Sequence, residues 1–211
     1  MAKFFLVVML LLRLMGNTIY DLEINMNIYI ALLRGINVGG KNIIKMSELK
    51  STFDSIGLCE VQTYIQSGNV IFKSDEEEAV LQSKIEHQIE LVFDFPVKVV
   101  LRTLAELEEI ILDCPFSKDE ISEAESSSDK ECLYVALLST ALPKEKTEFL
   151  IAYRSDSDNY RIIGRNVYLL FRNSISKSKL ANNVQKLDVA VTVRNWKTLN
   201  RLVLLAKETQ N

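Results

Sequence analysis

The chain has 211 residues, 48% of them hydrophobic and 25% charged, with a formal net charge of −3. That profile excludes a disordered chain and a polytopic membrane protein, and seven glycines and three prolines exclude a collagen-like or linker-dominated one. A chain of this length buries about 70% of its unfolded surface without a disulfide staple, and its slight acidity argues against a general nucleic-acid binder.

The chain opens MAKFFLVVMLLLRLM, with one lysine, an apolar run from Phe4 to Leu12, and then Arg13. No A-x-A cleavage site follows, and the run is too short and interrupted for a transmembrane helix. Met26 immediately precedes a strong strand pattern. Residues 1–25 are therefore read as an apolar extension upstream of a start at Met26 and outside the fold. A membrane-associating segment and a docked helix are the alternatives, and stable membrane insertion is expected only if these residues are retained.

Asn27 to Arg34 reads as a strand. A Gly-rich loop, Gly35 to Lys45, leads to a helix over Met46–Ile56, in which Met46, Leu49, Phe53 and Ile56 keep the helical period and Gly57 stands at the stop. Leu58–Ile65 and Val70–Lys73 flank Gln66-Ser67-Gly68-Asn69, a hairpin. Asp75–Phe93 reads as a helix with Val80, Leu81, Ile85, Ile89 and Val92 on one side, and three glutamates favour its positive end. Val97–Arg102 is a fourth strand, and Thr103 can N-cap a helix ending near Asp113.

Ser117–Lys130 is acidic and serine-rich and reads as a flexible connector. The order then returns. Glu131–Ser139 is a strand, and Pro143 begins a helix to about Tyr153. Tyr160–Ile163 and Val167–Phe171 form a hairpin through Gly164-Arg165-Asn166. A helix lies around Lys177–Leu187, a strand at Val189–Val193, and a closing helix at Trp196–Glu208.

VVLRTLAELEEIIL from Val99 also matches VTVRNWKTLNRLVL from Val191, which sets Arg102 and Arg194 at equal places. The reading is an α+β fold of two tandem ferredoxin-like β-α-β-β-α-β units, each followed by an extra helix. The units are placed at 26–116 and 131–211, joined by the connector 117–130.

The Gly-rich run nearly fits the P-loop pattern at Gly35, Gly40 and Lys41. Asn42 stands where the Mg²⁺-binding hydroxyl belongs, and the helix begins late, so a nucleotide-hydrolysing P-loop is not the reading. Glycines such as Gly39 and Gly40 can turn N–H groups inward to form an anion nest, or they can simply build a structural loop. Gln66, Ser67 and Asn69 are candidate site residues or ordinary turn residues. The serine-lysine loop Ser174–Lys179 is a candidate phosphate contact or a solvated loop. Arg194, Asn195 and Trp196 combine a bidentate donor, an amide and a stacking surface, although core packing also accounts for Trp196.

The acid–base inventory is thin. His87, the single histidine, lies on the polar side of a helix, and no elbow, zinc or acidic metal motif occurs. No metal or cofactor is expected, and no catalytic residue is assigned. Cys59, Cys114 and Cys132 are odd in number and far apart, which suits buried thiols in a reducing cytosol. Cys59 reads as core and Cys114 as the most exposed. Asp75–Glu131 carries 17 acids and five bases, whereas Arg154–Arg201 carries ten bases and three acids. The two regions are expected to attract each other, or the basic one to face an anionic ligand.

MNIYIALLRGINVGGKNIIKMSELKSTF, TYIQSGNVIF, VVLRTLAEL, SKSKL and TVRNWKTLNRL together resemble the bacterial family catalogued as domain of unknown function 1697, from Met26 to about Lys207. The resemblance implies a small cytoplasmic protein of duplicated α+β fold, with no activity to carry over. Its most recognisable polar positions match Arg34, Asn37, Lys41, Gln66, Ser67 and Asn69, and also Lys179, Arg194, Asn195 and Trp196. FRNSISKSKL lacks the glycines that members often carry before SKL, which weakens a site there. The expected function is binding of a phosphate-bearing or other anionic small molecule in a polar cleft, built from the Gly-rich loop and strand-end basic residues. The alternative is a protein or nucleic-acid interaction module using the antiparallel sheets, with nucleic acid the less expected partner.

Overall fold

The computed structural model describes residues 26–210, and the reading made for the first 25 lies outside them. Eight strands form two four-stranded antiparallel sheets among the described residues. The first holds β1 (Asn27–Leu33), β2 (Cys59–Tyr64), β3 (Asn69–Ser74) and β4 (Val99–Thr103), in the order β2-β3-β1-β4. The second holds β5 (Leu133–Leu138), β6 (Asp158–Ile163), β7 (Asn166–Phe171) and β8 (Val191–Asn195), in the matching order β6-β7-β5-β8. Each order is that of a ferredoxin-like unit, so the chain is an α+β fold of two such units in tandem.

Seven α-helices accompany the sheets among the described residues. They are α1 (Met46–Ser55), α2 (Glu78–Phe93), α3 (Leu104–Leu112), α4 (Lys118–Ser126), α5 (Lys144–Ile151), α6 (Lys179–Val184) and α7 (Trp196–Glu208). Local chemistry fixes several ends. Thr103 and Glu106 form a reciprocal capping box at α3, and Asn195 caps α7 by accepting from the Thr198 N–H at 2.8 Å. None of the described helices is long and apolar enough to cross a membrane.

Strand alternation distributes the core. Tyr29, Ala31 and Leu33 of β1 pack with Leu49 and Phe53 of α1 and with Leu81, Ile85 and Ile89 of α2. Ile28, Ile30 and Leu32 point the other way. They share one central core with Leu133, Val135 and Leu137 of β5 and with the apolar stripes of α3 and α7. The outer face of the second sheet packs on Leu150 of α5 and on Leu180, Ala181 and Val184 of α6. Apolar side chains of the described residues thus cover both faces of each sheet.

The connector 117–130 carries α4, which starts at a second capping box between Ser117 and Glu120 and in which Ala124 is buried. Other expectations need correction. Cys59 is exposed rather than core, since β2 is irregular between Cys59 and Gln62 and Glu60 has φ 50°. Cys114 is half-buried and Cys132 buried. On α2, Leu81, Ile85 and Ile89 face the sheet, while Val80 is 53% exposed and Val92 50%. Val92 borders an open groove lined by Ser47, Ser51 and Ser55 of α1.

Opposite charges meet across the two units. Arg165 of the β6–β7 turn donates to both Glu78 oxygens at 2.6 and 2.8 Å and to Glu106 at 2.5 Å. Arg161 pairs with Glu120, Arg172 with Glu123, and Lys207 with Glu108. Four of the basic side chains that follow the acidic middle of the chain thus pair with it.

Candidate functional site

The candidate residues fall in three separate places. The first is the Gly-rich loop, which folds as a small closed hairpin. Gly39 (φ 60°) and Gly40 (φ 72°) make a left-handed two-residue turn, and the Lys41 N–H donates to the Val38 carbonyl at 3.1 Å. Asn37 holds the base. Its Nδ2 donates to the Ile44 and Gln66 carbonyls at 3.0 and 2.9 Å, and its Oδ1 accepts from the Ile44 N–H at 2.9 Å. The Asn37 N–H goes to the Asn42 carbonyl. The N–H groups of Asn37, Lys41 and Ile44 are thus occupied within the loop. Arg34 leaves the loop and donates from Nη2 to the Gln185 carbonyl at 2.6 Å. Lys41 stands exposed at the tip, while Ile36 and Ile44 anchor the hairpin in the core.

The second place is a buried joint around Arg194. Its Nε donates to Asn69 Oδ1 at 2.6 Å and its Nη1 to Thr192 Oγ1 at 2.6 Å. Its Nη2 reaches the Leu33 and Ser67 carbonyls, both at 2.9 Å. Nη1 also reaches the Val193 carbonyl, and Nη2 the Gly68 carbonyl at 3.3 Å. A guanidinium has five N–H groups, and these acceptors take them all. Burial lowers its pKa to about 10, which still leaves it charged at neutral pH. Arg194 and Asn69 therefore hold the two units together and offer no donor to a ligand.

Gly68 is required at this joint. Its φ is +75°, and a Cβ there would lie 2.7 Å from Ile36 Cδ1 and 2.8 Å from Leu33 Cβ. Ser67 accepts from Asn69 Nδ2 at 3.0 Å, and Gln66 contributes its carbonyl to Asn37. These are turn bonds. Asn195 is the α7 cap, and Trp196 packs against the central core.

The third place keeps one sequence-predicted residue, Lys179, and adds several that sequence reasoning missed. A cavity of about 440 Å³ opens between the loop after α5, the start of β6 and the loop before α6. Arg154, Lys177 and Lys179 bring three cations to it, and Ser155, Ser157 and Ser174 bring hydroxyls. Asp158 ties the two sides together. It accepts from Ser178 Oγ at 2.5 Å and from Ser157 Oγ at 3.2 Å, and its N–H donates to Ser155 Oγ at 3.1 Å. The three cations make no ion pair among the described residues, whereas Arg161, Arg165 and Arg172 do. The available signal was the polar run YRSDSDN between a helix and a strand. No group of three or more potential metal ligands occurs among the described residues.

A family model described as a protein of unknown function, DUF1697, matches residues 26–168. The structure is similar to that of the conserved bacterial protein SP0830 from Streptococcus pneumoniae. The TM-score is 0.66 at 25% identity, over 86% of this chain and 99% of that one. No curated protein matches the chain. The family match spans the Gly-rich hairpin, the Asn69 turn and the second sheet as far as Tyr168, and the chain belongs to the DUF1697 family.

Proposed function

We propose that the protein binds a phosphate-bearing or otherwise anionic small molecule in the cavity of Arg154, Lys177 and Lys179. The supporting observation is three exposed cations without ion-pair partners among the described residues, around a hydroxyl-lined pocket of about 440 Å³. A cavity of that size suits a small ligand. The other unit sharpens the reading. β3 and β7 hold equivalent places in their sheets, yet β3 is followed by Asp75, Glu76 and Glu77 whereas β7 leads to Lys177 and Lys179. The two copies have opposite charge at one place in the fold.

Thermal-shift and calorimetric titration with inorganic phosphate and pyrophosphate test this at low ionic strength, where exposed charges act most strongly. Stabilisation is expected, weakening with added salt and lost in Lys177→Ala/Lys179→Ala. An unchanged shift in that variant, or none in the wild type, overturns the reading. Arg194→Ala is not used, because it would disturb the joint between the sheets.

A further inference from the structure

We infer that the ligand is a phosphorylated sugar or other polyol, with its phosphate among Arg154, Lys177 and Lys179 and its hydroxyls in the adjoining cleft. This rests on the anion reading above and goes one step further. A second cavity of about 260 Å³ shares Arg154, Ser155 and Ser157 with the first, so the two run together. The chemistry changes across that shared wall. Beyond the shared wall the second cleft is lined by Glu120, Glu123, Asp156, Asn159 and Arg172, and Leu170 is the single apolar residue in its lining. Carboxylate and amide oxygens accept hydrogen bonds from hydroxyls, and they repel a second phosphate. A planar apolar base would find little to stack on there.

The acceptors are also held in place. Arg161 fixes Glu120 at 2.6 Å, and Arg172 fixes Glu123 at 2.8 Å. Each arginine offsets its partner's charge while leaving carboxylate lone pairs free to accept. A neutral group rich in O–H donors suits such a surface better than a cation or a second anion. Arg154, standing between the two cavities, is placed to meet the bridging oxygen of a phosphate ester.

Calorimetric titration of the full chain tests this with inorganic phosphate, a panel of hexose and pentose phosphates, the matching free sugars, and adenosine monophosphate. The best sugar phosphate is expected to bind at least about tenfold more tightly than inorganic phosphate. Glu123→Gln and Asn159→Ala, each checked for an unchanged melting temperature, are expected to remove that gain and leave phosphate binding intact. Equal affinity for phosphate and every sugar phosphate overturns this inference and leaves the anion reading standing. Tighter binding of adenosine monophosphate than of any sugar phosphate overturns the polyol assignment. Failure of every phosphate compound to bind overturns both readings.

Discussion

Arg194 reaches from Nε to the side-chain oxygen of Asn69 at 2.6 Å, across the joint between the two sheets. The first unit returns the contact. Arg102 on β4 donates from Nη2 to Asn166 Oδ1 at 3.0 Å, the Leu138 carbonyl at 2.9 Å and the Arg165 carbonyl at 3.0 Å. Leu33 and Leu138 end equivalent strands, and Asn69 and Asn166 begin equivalent strands. Each unit therefore sends one buried arginine into the other's hairpin. The symmetry is incomplete, because Arg102 Nε is buried without a partner among the described residues whereas Arg194 Nε has Asn69. Removing Arg194 strands several buried acceptors, each costing about 1–3 kcal/mol when left unpaired. Arg194→Ala is expected to destabilise the fold by about 3–5 kcal/mol in urea titration, a large part of the total stability of a typical protein. Arg194→Lys should recover little, because one ammonium cannot span acceptors on several strands. A loss below about 1 kcal/mol in Arg194→Ala would show that the joint does not depend on it.

Gly68 and Gly164 close equivalent hairpins, yet they should respond differently to substitution. Both have positive φ, at +75° and +56°. An alanine Cβ at 68 would meet Ile36 and Leu33 at under 3 Å, while one at 164 meets nothing within 4 Å. Gly164→Ala should cost about 1 kcal/mol, the left-handed penalty alone. Gly68→Ala adds a clash with a packed core and should cost at least about 2 kcal/mol more. Equal losses in paired denaturation curves would mean that the Ile36 contact yields freely.

The contrast between these hairpins shows what the sequence makes legible. Signals that act within a few residues are readable: the Thr103 cap, the Gly57 stop and, element by element, the β-α-β-β-α-β order of both units. Arg102 and Arg194 stand out as a repeat for the same reason. Their partners do not, because a strand-end arginine looks the same whether it meets a ligand or a carbonyl 161 residues away, as Arg194 meets that of Leu33. Ser117 and Glu120 carry a readable capping box, but acidic composition masks it. The pocket is harder still. Arg154 and Asp158 belong to one run and Lys179 to another, and only the folded second sheet brings the two together.

Thiol chemistry gives a direct check on the corrected burial. Cys59 is exposed, Cys114 half-buried and Cys132 buried. Burial raises the pKa of both Cys114 and Cys132, so fewer of these thiols are present as the reactive thiolate. Native protein treated with Ellman's reagent near neutral pH should therefore release one fast equivalent, absent in Cys59→Ser. The other two should react slowly until denaturant is added. Three equally fast thiols would contradict the packing around Cys132.

Glu106 makes the joint sensitive to acid. Burial alone would raise its pKa, but hydrogen bonds from the Thr103 N–H and Arg165 outweigh this and hold the pKa below the usual carboxylate value. A depressed folded-state pKa contributes stability that is fully present above the unfolded value, about 4.3 for glutamate, and is lost as pH falls through the folded value. Glu106→Gln keeps a side chain able to accept from Thr103 but carries no charge for Arg165. The variant should be less stable than wild type at pH 7, with the gap narrowing as pH falls below about 4, where the wild-type carboxylate also becomes neutral. Urea midpoints measured from pH 7 down to pH 3 check the sign. A constant gap across that range would mean that Arg165 draws its support from Glu78 alone, through the bidentate pair at 2.6 and 2.8 Å.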